Sequence, residues 1–216
     1  MTLQIVNEDV ERYMKTLQSR HDEPVLLAME KEGEERHFPI IGRLVGATVE
    51  ILARAIGAKR VFELGSGYGY SAYWFSRAVG PNGEVHCTDG DPENEKKAAD
   101  YLTQAGLWDR VRYHVGDAVE SLATVPGSFD VVYNDIDKHG YPVAWRAARD
   151  RVRVGGLYIC DNVLWSGRVA VDDPEDQRPE WTAAIKEHNA LIAGDPDYLS
   201  TIVPTRDGVM VALRLS

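Results

Sequence analysis

No stretch of this 216-residue chain stays apolar for the roughly 20 residues that a membrane-spanning helix needs. The opening MTLQIVNEDVERYMK has early acids and no apolar leader core, so no signal peptide is expected and the cytoplasm is the expected compartment. Cysteine is scarce. Cys87 and Cys160 each lie inside an apolar run and read as buried structural thiols. The six histidines are scattered, with no HExxH pair and no CxxC partner, so a zinc site is not expected. Positive charge is in deficit: 24 Lys and Arg stand against 34 Asp and Glu, a net charge of −10. Nucleic-acid binding normally needs a basic patch, so this balance disfavours such a partner. Repeats and low-complexity segments are also absent.

What is present is ordinary for a globular protein, and the length suits one α/β domain with a sizeable core. Residues 4–18 and 24–34 read as polar helices. Within 37–57, Ile41, Leu44, Val45, Thr48, Leu52 and Ile56 fall near helical spacing, with Gly57 as a stop. From residue 60 strands alternate with helices: RVFEL (60–64), a helix over 70–79, and GEVHCTD (83–89). Next come a helix from Asp91-Pro92 to about Ala105, RVRYHVG (110–116) and FDVVYND (129–135). A helix over 141–151 and GLYICDN (156–162) follow. An acidic loop (171–180) leads to a helix over 181–193, and two strands (198–204, 208–215) close as an antiparallel hairpin. This alternation predicts a doubly wound, mostly parallel seven-stranded sheet, α/β and Rossmann-like, with extra N-terminal helices.

Ligands of such sheets sit beyond the carboxyl ends of the strands. Glu63, Asp89, Asp117, Asp135 and Asp161 all fall at or just after predicted strand ends; any one alone could be a turn former or a helix cap. ELGSGYGYS (63–71) follows the first strand with glycines at 65, 67 and 69, but Tyr70 stands where a dinucleotide fingerprint wants its third glycine. Glu63 would repel a pyrophosphate and attract an ammonium group. Asp89 lies where an acid takes ribose hydroxyls. Together these favour S-adenosylmethionine over NAD.

YNDIDKHGY (133–141) and CDNVLWSG (160–167) carry the reacting chemistry. Asp135, Asp161 and Asn162 offer oxygen ligands suited to a hard cation such as magnesium. A vicinal diol could take two open positions, its hydroxyl pKa lowered by the metal. Lys138, near that charge and partly desolvated, is a candidate general base.

At these residues the chain resembles the cation-dependent O-methyltransferases that include catechol and caffeoyl-CoA O-methyltransferases. The resemblance rests on FELGSGYGYS, VGDA (115–118), FDVVYNDIDK (129–138), GGLYICDNVLWSG (155–167), TAAIKEHN (182–189) and VPTRDGVMVALR. It spans roughly residues 39–216. It implies one methyltransferase domain over 1–216, with residues 1–57 contributing to a lid, and S-adenosylmethionine contacts at Glu63, Gly65, Ser66, Ser71, Asp89, Asp117, Ala118, Asp135 and Asp137. It also implies metal ligation by Asp135, Asp161 and Asn162, Lys138 as base, Trp165 as a wall of the acceptor pocket, and a lid contribution from Phe38 to Ile41. A small aromatic diol acceptor and a homodimer are further implications.

The chain departs from the family pattern at Asn134 and Ile136, at Lys186 and His188, and at Arg206, where a small residue is usual. The first two changes are expected to reshape the acceptor pocket. The alternatives are a modified RNA nucleoside as acceptor, an NAD-dependent oxidoreductase, and a non-catalytic nucleoside-binding module. Tyr70 and Glu63 count against the second, and a lysine base counts against the third.

Overall fold

The computed structural model describes residues 5–18, 22–171 and 174–216. Three helices precede the sheet. Helix α1 (Glu8–Thr16) starts where the Asn7 side chain accepts from the amides of Asp9 and Val10, a cap inside the predicted 4–18 span. Position 4 itself lies outside the described residues. Helix α2 (Pro24–Arg36) ends at His37 in the left-handed region. Helix α3 (Gly42–Ala55) buries the predicted Leu44 and Val45 together with Val49 and Ala53, and Ile41 just before it is buried as well; Thr48, Leu52 and Ile56 are half-buried.

The sheet contains β1 (Arg60–Leu64), β2 (Glu84–Asp89), β3 (Val111–Val115), β4 (Phe129–Asn134), β5 (Val152–Cys160), β6 (Tyr198–Val203) and β7 (Val209–Arg214). Their order is β3-β2-β1-β4-β5-β7-β6. All neighbouring pairs are parallel except those of β7, which runs antiparallel to both β5 and β6. The closing hairpin is thus present, and its second strand, not its first, joins the parallel sheet.

Along a central strand alternate residues serve opposite cores, which is why these runs are almost continuously apolar. Val131 and Tyr133 of β4 face one core with α2, α3, α4 (Tyr70–Val79) and α5 (Pro92–Gln104). Val132 faces the other with α6 (Ala118–Thr124), α7 (Tyr141–Ala148) and α8 (Pro179–Ala193).

Three elements differ from expectation. Helix α6 was not predicted, because seven residues are too few for a readable period, although Asp117 caps it through the Glu120 amide at 2.8 Å. Strand β5 starts at Val152 rather than 156, and its register against β4 shifts between Phe129 and Val131. The helix expected over 141–151 tightens after Ala148 into a 3-10 turn at Arg149–Arg151.

Candidate active site

The site is assembled by strand register. Leu64 of β1 pairs with Asn134 of β4, which pairs with Cys160 of β5. The next residue of each strand is therefore Gly65, Asp135 or Asp161, side by side where the strand order reverses. Backbone bonds continue the ladder one step further, from Asp135 N to Leu64 O (2.8 Å) and from Asp161 N to Asn134 O (3.1 Å). A ligand cleft belongs at such a switch point. A cleft of about 1140 Å³ opens there.

The glycine loop is tied to the end of β2. Gly65 N donates to Thr88 Oγ1 (3.0 Å), Ser66 N to Thr88 O (2.7 Å), and Thr88 Oγ1 to Glu63 O (2.8 Å). Gly65 has φ of +84°, and a Cβ there would lie 2.7 Å from the Asp135 carbonyl oxygen, so only glycine fits. Gly69, at φ +87°, turns the chain into α4. Phe38 lies across this loop, its ring where a Cβ on Gly67 would be.

Glu63 is fully buried. Its Oε2 accepts from Ser66 Oγ (3.1 Å) and Cys87 Sγ (3.3 Å), while Oε1 has no protein partner. Burial raises its carboxyl to about 7, with neighbouring Ser71, Cys87 and Ser66 opposing that rise. A buried carboxylate oxygen without a donor is what a cationic ligand at this loop would satisfy. Asp89 takes both of its hydrogen bonds, from Asp91 N (2.8 Å) and Asn94 Nδ2 (3.0 Å), on Oδ1. Asp117, Ala118 and Asp137 also line the cleft.

At the other end stand Asp135, Asp161, Asn162 and Lys138. Lys138 begins a 3-10 turn (Lys138–Gly140), which points Nζ back at Asp135 Oδ1, 3.0 Å away. Asp161 is 2% exposed and its Oδ1 has no protein partner. Burial raises the carboxyls of both acids, and for Asp161 the charge of Asp135 adds to it; Lys138 and Arg206 pull the other way. Asn162 adopts φ of +56° directly after Asp161. The donor set fits a hard divalent cation: two carboxylates that raise each other's energy, one orphaned oxygen and a neighbouring amide. Among the described residues no group of three or more His, Cys, Asp or Glu is arranged for a metal, so the amide is needed to complete the set.

The structure brings the predicted site residues to this one cleft, Trp165 and Phe38 included, except Glu63, which is fully buried and does not line it. It corrects the expectation that the departures from the family pattern reshape the acceptor pocket, at His188 and at Asn134. His188 does not reshape the acceptor pocket: it is fully buried, its Nε2 3.0 Å from Tyr158 Oη and its ring against Tyr141. Ile136 does line the cleft, whereas Asn134 is buried beneath it, with Nδ2 on Cys160 Sγ at 3.3 Å. Sequence reasoning missed Trp181 and Arg178, whose side chains line the acceptor end. The PEW run starting α8 was a usable helix-entry signal, but nothing local tells which way its aromatic points.

A reversed strand inserted beside β5, a glycine turn after β1 and an acid after β2 define a class I S-adenosylmethionine-dependent methyltransferase. The family model described as O-methyltransferase matches residues 14–215, and the chain belongs to that family. A catechol O-methyltransferase of Niastella koreensis is 29% identical over 216 residues, 95% of this chain and 96% of its own. One from Mycobacterium tuberculosis is 32% identical over 157 residues, 71% of each chain. The crystal structure of the O-methyltransferase TomG from Streptomyces achromogenes, solved with S-adenosylmethionine, superposes with a TM-score of 0.85 at 26% identity, covering 96% of both chains. The protein is an S-adenosylmethionine-dependent O-methyltransferase, and the dinucleotide alternative falls.

Proposed function

We propose that the protein transfers a methyl group to one hydroxyl of a small catechol-like acceptor and needs a divalent cation, magnesium, to do so. The observation that carries this is the pair of buried acids, Asp135 and Asp161, beside Lys138 and level with the glycine loop. Asp135, Asp161 and Asn162 would hold the cation, which when bound would lower the acceptor hydroxyl's pKa. Glu63 and Asp89 would hold the ammonium and ribose of the methyl donor, with Gly65, Ser66, Ser71, Asp117, Ala118 and Asp137 around it.

Methyl transfer breaks one S–C bond, leaves its electron pair on sulfur and forms one C–O bond. The hydroxyl proton must leave, and Lys138 Nζ would take it as the general base. Trp165 would wall the aromatic ring, and Phe38 to Ile41 would exclude water as part of a lid formed by residues 1–57. We take residues 1–216 as one domain. Exposed Val10, Tyr13, Leu17 and Ile51 on α1 and α3 support a homodimer.

The test pairs calorimetric titration of S-adenosylmethionine with a methyl-transfer assay on catechol, with magnesium or EDTA. Binding with EDTA-sensitive transfer is expected. Transfer unchanged by EDTA would sink the cation role, and absence of binding would sink the donor site.

A further inference from the structure

The acceptor end of the cleft holds cations as well as acids: Lys138, Arg178 and Arg206 line it together with Asp135, Asp161 and Asp207, and so do Trp165 and Trp181. The two indoles pack on each other, ring centres 5.7 Å apart at 38°, and together give the cleft an aromatic wall. Arg178 stacks its guanidinium 4.3 Å from the Trp181 ring centre. Its side chain has no hydrogen bond or ion pair among the described residues. Arg206 donates once, from Nη1 to the Ile40 carbonyl (2.6 Å), and likewise has no ion pair among the described residues. Elsewhere guanidiniums are committed: Arg43 to Glu30 and Asp22, Arg77 to Glu23 and Glu50, Arg149 to Asp195 and Asp197. A guanidinium carries five N–H donors in a fork that matches a carboxylate. Two with spare donors, in a cleft beside an aromatic pair, leave capacity that a neutral diol would not use.

Resting on the methyl-transfer reading above, we infer that the acceptor is an aromatic diol bearing an anionic group, its ring against the Trp165–Trp181 wall and its anion held by Arg206 and Arg178. Arg206 is the specificity residue in this arrangement. It enters from the β6–β7 turn at φ of +48°, a conformation few side chains adopt, and anchors to the lid backbone at Ile40. A rival role is simple offset of the negative charge of Asp135 and Asp161. That offset would affect every acceptor alike, whereas recognition of an anion affects only acceptors that carry one.

The experiment measures kcat/KM for catechol, 3,4-dihydroxybenzoate and caffeoyl-CoA, in the wild type and in Arg206→Gln and Arg178→Gln. An anionic acceptor should exceed catechol by about tenfold or more, the size expected of a charge-assisted contact. Which of the two leads tells whether the anion is a ring carboxylate or the phosphates of a thioester. Arg206→Gln should cut the ratio of that acceptor to catechol by about tenfold, mainly through KM. Catechol equal to or better than both anionic acceptors, or a variant that lowers all three equally, overturns the inference and leaves methyl transfer standing. No transfer to any of the three overturns the methyl-transfer reading itself.

Discussion

Tyr113 of β3 donates its hydroxyl to the carbonyl oxygen of Gly67, 2.5 Å away. The glycine loop after β1 is thereby pinned from two strands across the sheet. Replacing Tyr113 with Phe removes the donor and leaves a carbonyl in a half-buried place. A stability loss of about 1 kcal/mol is expected. The affinity for S-adenosylmethionine should fall about three- to tenfold, because the loop then has to be ordered on binding. Calorimetric titration and urea unfolding of Tyr113→Phe check both; an unchanged Kd would mean that Thr88 holds the loop unaided.

Lys138 sits 3.0 Å from Asp135 and 5.0 Å from the Tyr141 ring centre. Lys138→Ala should lower kcat by about a hundredfold, within the range for removing a general base. Binding of S-adenosylmethionine, measured by titration, should change less than about threefold. A variant with near-normal turnover would assign proton removal to solvent or another group.

Asp161 is buried beside Asp135 with Oδ1 unpaired, an arrangement expected to cost stability when no cation is present. Asp161→Asn removes the repulsion and supplies a donor. The metal-free variant should melt about 2–4 °C above the metal-free wild type, equivalent to about 1 kcal/mol in a chain of this size. It should also lose manganese binding followed by electron paramagnetic resonance. A lower melting temperature would show that the acid is paired in a way that the hydrogen bonds do not reveal.

His188 is buried neutral, and burial lowers its pKa to about 4. The folded value lies below the unfolded one of 6.5, so the unfolded chain binds the extra proton between them. Its contribution is complete above pH 6.5 and is lost as pH falls toward 4, by about 2 kcal/mol at pH 5. Glu63, raised to about 7, has the opposite sign: its folded form binds the proton first, so its contribution improves as pH falls toward 4.5. The comparison that isolates His188 is therefore wild type against His188→Gln, by urea unfolding at pH 7 and pH 5. The stability gap between the two should narrow at pH 5; a constant gap would reject the assignment.

The strands and the acids at their ends were readable because each signal is local: an apolar run, then a turn, then a carboxylate. Gly65, Asp135 and Asp161 could be placed in one row once the sheet was taken as parallel. Insertion of β7 between β5 and β6 was not readable, because a hairpin pattern says nothing of which strand meets the sheet. His188 departs from the family pattern, and its burial is not readable from the sequence because its partner Tyr158 lies 30 residues away. Trp181 and Arg178 were invisible for the same reason, since the facing of α8 is set by packing against Tyr141 and Val163 rather than by its own residues.

The reversed strand β7 also sets the order in which the cleft can be built during synthesis. The donor half draws on β1, β2 and β4, all present once the chain has reached Asp135. The acceptor half waits: Val163 N donates to Gly208 O (3.1 Å), Leu164 N to Asp207 O (2.9 Å), and the Ser166 amide to the Asp207 carboxylate. The loop bearing Asn162 and Trp165 is thus held by the turn that precedes β7, the last strand of this sheet in chain order. A nascent chain would acquire its place for the methyl donor before it has any wall against which an acceptor could rest.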